Sequence, residues 1–296
     1  MLAIVVLYNC SIGEAKSVLT ILRNHEKFPR AFEKFKLILY DNSPVSQTVN
    51  INLPFEYQYV HDPENKGLAV AYNYALKDAI GSSREWLLLL DHDSGLPDDF
   101  IENLTVECSG FEKDRSVVAV VPKVHYKNIF FSPSKVLYGG TIRPIDMRHK
   151  GICPFQAFAI GSGSAIRVAY LQSIGGFNGL FWMDCLDRWL YLTINNSGGK
   201  VYVTNSIMEH ELSIMNYDVY MSEGRYRNIL KYETLFMNSF KSRAENYVYY
   251  LRLVKRIFYL RFTVKNPIYS SMTFHHLVGL LFPGKKSRNE NAAWNR

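Results

Sequence analysis

The chain reads as an α/β protein: a mostly parallel central sheet flanked by helices, with a helical C-terminal appendage. Three observations carry this. Short apolar runs alternate with amphipathic stretches through the first part of the chain, as strands do when crossover helices cover both sheet faces. From Tyr226 onward the pattern is helical. The length of 296 residues, 48% hydrophobic and 21% charged, suits a large packed domain with an appendage.

The elements follow in order. Ala3–Leu7 is a β-rich apolar run, and Ala15–Asn24 has helical spacing. Lys36–Tyr40 is a strand that ends at Asp41-Asn42-Ser43-Pro44, a strong turn signal. Phe55–Val60 reads as an edge strand, Leu68–Ala79 as a helix, and Trp86–Leu90 as a wholly apolar strand. Val117–Val121 and Lys200–Thr204 are further strands, with a GSGSA turn over Gly161–Ile166 and a loop-like, then aromatic, segment over Gly175–Asp187. Helices are expected over Asn228–Ser239, Arg243–Phe262 and Tyr269–Phe282, closed by Pro283-Gly284 and a polar tail, Lys285–Arg296.

Charge divides the chain. From Arg225 onward there are 14 Lys or Arg against 3 Asp or Glu, whereas the residues before it hold 20 against 24. The net +7 therefore belongs to the C-terminal part, and domains of 1–224 and 225–296 with different partners are expected. No helix-turn-helix, zinc or RNA-binding signature accompanies the charge, so nucleic acid is not an expected partner. The cysteines, Cys10, Cys108, Cys153 and Cys185, form no CxxC pair, which suits a reducing compartment. The opening MLAIVVLYN lacks a basic n-region and a cleavage site, and no run reaches the ~18 apolar residues of a membrane span. A cytoplasmic protein is expected, with the inner face of the membrane as one place where it could work.

In parallel α/β sheets ligands sit beyond the carboxyl ends of the strands. That rule places Tyr8-Asn9, Asp41-Asn42 and Asp91-His92-Asp93 on one edge. Asp91 and Asp93 follow four leucines; strand alternation would put both carboxylates on one face, as hard oxygen ligands for magnesium or manganese. The competing reading is a solvated acidic turn, which fits Asp98 and Asp99 better. Asp41 can accept from a base or ribose hydroxyl, or can close an Asx turn. Asn65-Lys66-Gly67 opens a helix whose amides suit a phosphate or sugar, or is an ordinary cap. Asn73 sits in an Ala-rich helix, buried and hydrogen-bonded or on the surface. Asp184 and Asp187 lie three apart, on one face if helical, and either carboxylate in that aromatic setting can serve as a general base or a salt-bridged cap beside Arg188. His210 can complete the metal site or be structural.

Taken together, VVLYN (Val5–Asn9), LYDNS (Leu39–Ser43), NKGLAVAYN (Asn65–Asn73), WLLLLDHDS (Trp86–Ser94), GGFNGLFWMDCLD (Gly175–Asp187) and His210 resemble glycosyltransferase family 2, most of all its bacterial rhamnosyltransferase-like members. The resemblance spans residues 1 to about 215. It implies the GT-A (nucleotide-diphospho-sugar transferase) fold and an inverting transfer, with rhamnose a candidate sugar. It implies that Tyr8, Asn9, Asp41 and Asn42 contact the nucleotide. Asn65, Gly67 and Asn73 would then shape the donor pocket, and Asp91 would face the ribose or sugar and border the metal. Asp93 and His210 would bind a divalent cation, and Asp187 would be the base. Two departures stand out: the segment after Asp187 lacks the second acid and arginine common in the family, leaving Asp184 a rival, and His92 replaces a frequent glutamine. The acceptor implied is a glycan or polyprenyl-linked hydroxyl in cell-surface polysaccharide synthesis. Rival functions are a catalytically inactive binding subunit and a nucleotidyltransferase, though no Gly-rich, Lys/Arg-bearing phosphate loop stands near the N-terminus. The basic, aromatic pattern of Arg243–Phe282 suits either an anionic membrane surface or a helical appendage with a solvated basic face.

Overall fold

A computed structural model of the chain describes residues 1–210 and 217–282. The expected closure at Pro283-Gly284 and the polar tail Lys285–Arg296 lie outside the described residues, as does Glu211. The chain divides into two compact units, residues 1–137 with 141–211, and residues 138–140 with 212–296.

The first unit begins with β1 (Leu2–Leu7), α1 (Lys16–Lys27), β2 (Lys36–Asp41), β3 (Glu56–His61), α2 (Leu68–Gly81), β4 (Trp86–Asp91) and α3 (Phe100–Ser109). These strands pair in parallel, in the order β3-β2-β1-β4. Every residue of β1 is buried, which requires cover on both faces. One face carries Ala3, Val5, Leu7, Leu88 and Leu90 against Val18 and Ile21 of α1 and Phe100 and Leu104 of α3. The other meets α2, which lies on β1 and β4 through its small buried residues Ala71, Ala75 and Ala79. The four leucines ahead of the acidic motif thus fill both layers at once, each worth ~2 kcal/mol of burial. As expected, β3 is at the sheet edge.

Beyond β4 the sheet continues through β5 (Val117–Tyr126), which carries a short partner β6 (Ile129–Ser132), followed by β7 (Ser134–Val136), β8 (Ile142–Pro144), β9 (Gly151–Ile152), β10 (Ala157–Phe158), β11 (Ala165–Arg167), α4 (Val168–Ser173), α5 (Leu186–Asn196) and β12 (Lys200–Glu209). The strand order is β4-β11-β5-β12-β9, with β10-β7-β8 a separate small sheet. The segment expected to be a GSGSA turn is corrected here. Gly161–Gly163 does turn, but Ala165–Arg167 is a strand, antiparallel to both β4 and β5. Three residues are too short to show a period, and the last of them is an arginine.

Arg167 explains how so short a strand holds. Its side chain is 2% exposed, stacks on Trp86 at 4.4 Å, and donates to the carbonyls of Val117 (3.0 Å), Phe111 (2.9 Å) and Asp114 (3.3 Å) and to the Glu85 carboxylate. One guanidinium ties the start of β4 to the α3–β5 turn. Arg167→Met is expected to strand those carbonyls and cost ~3 kcal/mol, read as a lowered urea midpoint with unchanged slope.

The second unit is helical: α6 (Tyr217–Tyr220), α7 (Glu223–Phe240), α8 (Arg243–Thr263) and α9 (Ile268–Leu281). Ser222 caps α7, and Ser242 with Glu245 forms a capping box on α8. Arg256 grips Glu233 through two hydrogen bonds of 2.8 and 3.0 Å, pinning α8 to α7. The Tyr226 hydroxyl meets Thr273 Oγ1 at 2.5 Å, pinning α7 to α9. Among the described residues no helix is long and apolar enough to cross a membrane.

Candidate active site

The acidic motif lies where the parallel edge ends. β4 stops at Asp91, and His92 and Asp93 form a turn closed by Ser94 N donating to Asp91 O at 3.3 Å. The two carboxylates are therefore not paired by strand alternation, as expected from sequence; the turn brings them together. Three supports hold that turn. Ser17 N at the start of α1 donates to His92 O at 3.1 Å. Gly95 and the end of β12 exchange backbone hydrogen bonds, Gly95 N to Glu209 O at 2.8 Å and Glu209 N to Gly95 O at 3.1 Å. Ser162 Oγ, 2% exposed in its residue, accepts from Asp91 N at 3.0 Å and meets Ser94 Oγ at 2.6 Å.

β12 delivers His210 into this turn. One ligand atom each from Asp91, Asp93 and His210 lie within 4.8 Å of one another, so the three residues expected at the metal site do converge. His210 is 8% exposed in its side chain, whereas Asp91 and Asp93 keep 31% and 36%: a floor of imidazole beneath two accessible carboxylates. His210 Nδ1 lies 3.0 Å from Ser94 Oγ and 3.3 Å from Asp93 Oδ1. The second contact is an ion pair when the imidazole is protonated, and apart from it Asp93 Oδ1 is buried with no hydrogen-bond partner among the described residues. A buried carboxylate oxygen in that position is what a cation would satisfy, and two carboxylates with an imidazole form a donor set for a small divalent metal. Burial works to raise the Asp93 pKa, but the neighbouring His210 and His92 outweigh it and hold the carboxyl below its ordinary value.

The sequence reading missed Ser94 and Ser162. Ser94 forms a hydroxyl chain with Ser162 and His210, and a residue that engages one ring nitrogen orients the other. Gly163, at φ +84°, lets the loop pass Pro122 and Met208; a Cβ there would come within 2.8 Å of the proline ring. The GSGS run thus braces the acidic turn. Ser162→Ala is expected to weaken Mn²⁺ binding ~10-fold or more with little change in fold, measured by titration calorimetry.

On the other side of β4, α2 carries the segment with the candidate bases. Asn73 is a clamp, neither free nor on the surface: its Nδ2 donates to Phe177 O and its Oδ1 accepts from Phe177 N, each at 2.8 Å. Trp182 covers the start of α2. Its carbonyl accepts from Leu68 N at 2.7 Å and its Nε1 donates to Asn65 O at 2.8 Å. Gly67, at φ +94°, is required there, because a Cβ would fall 2.2 Å from the Trp182 carbonyl oxygen. The Leu68 amide at this helix start is thereby engaged by Trp182 instead of standing open for a phosphate.

Asp184 and Asp187 are not on one helix face, contrary to the sequence reading. Cys185 adopts a left-handed conformation at φ +66° and α5 starts at Leu186, so Asp184 precedes the helix and Asp187 stands in its first turn. Asp187 is partly accessible but hemmed in by protein. Burial pushes its pKa up to about 6, against the pull of Arg188 and with help from the charges of Asp184 and Asp91. The Asp91 charge acts on Asp187, so the candidate base lies within electrostatic reach of the metal-ligand cluster.

At the outer part of the edge, Tyr8 is 48% exposed and Asn9 takes a left-handed turn at φ +48°, its N–H donating to Ser43 Oγ at 2.9 Å. Asp41 is fully buried and closes the Asx turn, accepting from Ser43 N (2.9 Å), Gln47 Nε2 (3.0 Å) and the Tyr59 hydroxyl (2.8 Å). It shapes the loop while Asn42 offers an acceptor: Asn42 Oδ1 is buried with no donor among the described residues.

A family model, "Glycosyl transferase family 2", matches residues 3–175. No curated protein sequence matches the chain. Among solved structures, the chain is similar to S. aureus TarS 1–349, at 13% identity and a TM-score of 0.48 over 86% of this chain and 80% of that one. The same TarS piece in complex with UDP-GlcNAc matches at 13% identity and a TM-score of 0.48 over 97% and 77%. With the family model covering more than half its length, and with the mostly parallel sheet it implies in place, the chain belongs to glycosyl transferase family 2, with the GT-A fold.

Proposed function

We propose that the protein transfers a sugar, with inversion, from a nucleoside-diphosphate donor to a hydroxyl of a glycan or polyprenyl-linked acceptor. The catalytic work is assigned to residues 1–224. The observation that carries the proposal is the pairing of the Asp91, Asp93 and His210 cluster with Asp187, a carboxyl whose raised pKa suits it to take a proton near neutral pH. Rhamnose is the donor sugar that the resemblance of the sequence implies.

Asp93 and His210 would hold the cation, with Asp91 beside it facing the ribose or sugar; Mg²⁺ or Mn²⁺ suits the donor set. Such a cation supplies Lewis-acid charge that neutralises the diphosphate leaving group. Tyr8 offers the nucleoside an exposed ring, and Asn42, though buried, an Oδ1 with no partner among the described residues. Asp187 accepts the proton of the acceptor hydroxyl as its oxygen bonds to C1 of the sugar. The bond from C1 to the diphosphate oxygen breaks on the opposite face, and the nucleoside diphosphate departs with the electron pair. A single displacement of that kind inverts the anomeric centre. Asn73 and Trp182 act through position, fastening the segment that bears Asp187 to α2.

The test is a panel of nucleotide sugars, nucleoside-diphosphate-rhamnose included, with Mn²⁺ or Mg²⁺ and a polyprenyl-linked glycan. Nucleoside diphosphate release that requires both metal and acceptor, with an inverted anomer by NMR, is expected. Binding without turnover for every pair would favour an inactive subunit, and pyrophosphate release from a nucleoside triphosphate a nucleotidyltransferase.

A further inference from the structure

Helix α8 is amphipathic in a way its own packing does not require. Tyr249, Leu253 and Leu260 are buried, and these define the face turned into the helical unit. At 100° per residue, Tyr247, Leu251, Val254, Phe258 and Phe262 fall together on the opposite face. They are exposed, from 39% at Val254 to 82% at Phe262. The spacing of four, three, four and four residues makes a continuous ridge along the helix. Lys255 and Arg261, both exposed, flank the ridge on either side. The neighbouring α9 has no charged residue and exposes a second apolar row, Phe274, Val278 and Leu281.

We propose that the outward ridge of α8 docks the protein on an anionic lipid surface. Aromatic and aliphatic side chains between cationic ones match the two layers of such a surface, acyl boundary below and charged headgroups beside. The charge pattern selects lipid over a second copy of the chain. No Asp or Glu occurs from Asn246 to Asn289, while eight Lys or Arg do. An isologous contact through α8 would set Lys255 and Arg261 near their own counterparts with no acid on the helix face to offset them. A single exposed phenylalanine needs no explanation; five large apolar side chains in one row, on a helix already packed through its other side, do. The inference does not depend on the donor chemistry. It adds to the proposed function a surface on which a lipid-linked acceptor would be met.

The experiment is flotation of the full chain with vesicles of equimolar phosphatidylcholine and phosphatidylglycerol, against phosphatidylcholine alone. The protein is expected to float with the anionic vesicles, less with the neutral ones, and less at high salt. Phe258→Ser with Phe262→Ser, and separately Lys255→Glu with Arg261→Glu, are each expected to lower the partition coefficient at least ~10-fold. Both variants should keep the wild-type Mn²⁺ affinity and far-UV spectrum, which separates loss of docking from loss of fold or of the metal site. Three results would overturn the proposal: wild-type protein that stays unbound, variants that float like wild type, or a wild-type dimer that the Phe258/Phe262 variant splits into monomers, which would assign the ridge to a second copy.

Discussion

Asp187→Asn is expected to reduce kcat/KM by ~10²–10⁴-fold, the usual contribution of a positioned base, and at the same time to make the protein more stable near neutral pH. The two effects share a cause. Burial holds the carboxyl pKa at about 6 in the folded chain, above the ~4 of an unfolded aspartate. Between those values the folded state binds the proton more tightly than the unfolded state, so stability falls as pH rises. Above the folded pKa the penalty is complete, about 3 kcal/mol. Asparagine cannot ionise and escapes it. Urea unfolding should show the variant gaining most at about pH 7.5 and nothing at about pH 4. In the wild type, kcat/KM should fall as pH drops below about 6. A variant no more stable than wild type at the higher pH would sink the burial account. A larger activity loss in Asp184→Asn than in Asp187→Asn would move the base to Asp184.

Asp93→Ala should be the most damaging change to the cation site. Its Oδ1 is a buried oxygen with no hydrogen-bond partner among the described residues, and removing it leaves one carboxylate and one imidazole. Loss of Mn²⁺ affinity by at least ~100-fold is expected, with a fall in nucleoside diphosphate release of ~10³-fold, equivalent to ~4 kcal/mol of transition-state charge stabilisation. A chelator should reproduce the activity loss in the wild type and change nothing further in the variant. His210→Ala, which spares both carboxylates, should cost less. Calorimetric Mn²⁺ binding unchanged in Asp93→Ala would remove this residue from the ligand set.

Legibility from sequence followed the length of the signal. β1, β2, β4 and α2 were readable because each buries enough consecutive residues to show a period or an apolar run. The edge they share follows from the ligand rule for parallel strands, and so the acidic motif could be placed. His210 reads as metal ligand or structural residue by itself, since a lone histidine has no pattern of its own, and only the resemblance points to the first. What escaped were contacts made by short polar residues. Ser94 and Ser162 lie 68 residues apart, and nothing in a GSGS run announces that one serine will reach another across a sheet. β11 escaped for a related reason: its stability rests on the hydrogen bonds and stacking of Arg167, not on a run of apolar residues. Asn73 reads equally as core or surface in the sequence, because a clamp on the backbone of Phe177 has no signature in the helix that carries it. The register of Asp184 and Asp187 turned on a left-handed Cys185, a conformation that residue type does not advertise.

The bracing of the acidic turn by Glu209, and its completion by His210, has a consequence for how the protein is made. β1 through β4 are contributed by the first 91 residues and pair with one another in parallel, so their pairing needs nothing further downstream. The cation site cannot form then, because its third ligand lies more than a hundred residues downstream and arrives with β12. A nascent chain would therefore expose the carboxyl ends of its parallel strands well before it could hold a metal, and closing so long a loop is among the slower steps of folding. Once formed, the site rewards completion: a cation at ~100 times its dissociation constant would add ~2.7 kcal/mol to the native state and nothing to a chain that stops short of β12. Loading the cation would thus mark molecules whose synthesis and folding have both passed residue 210.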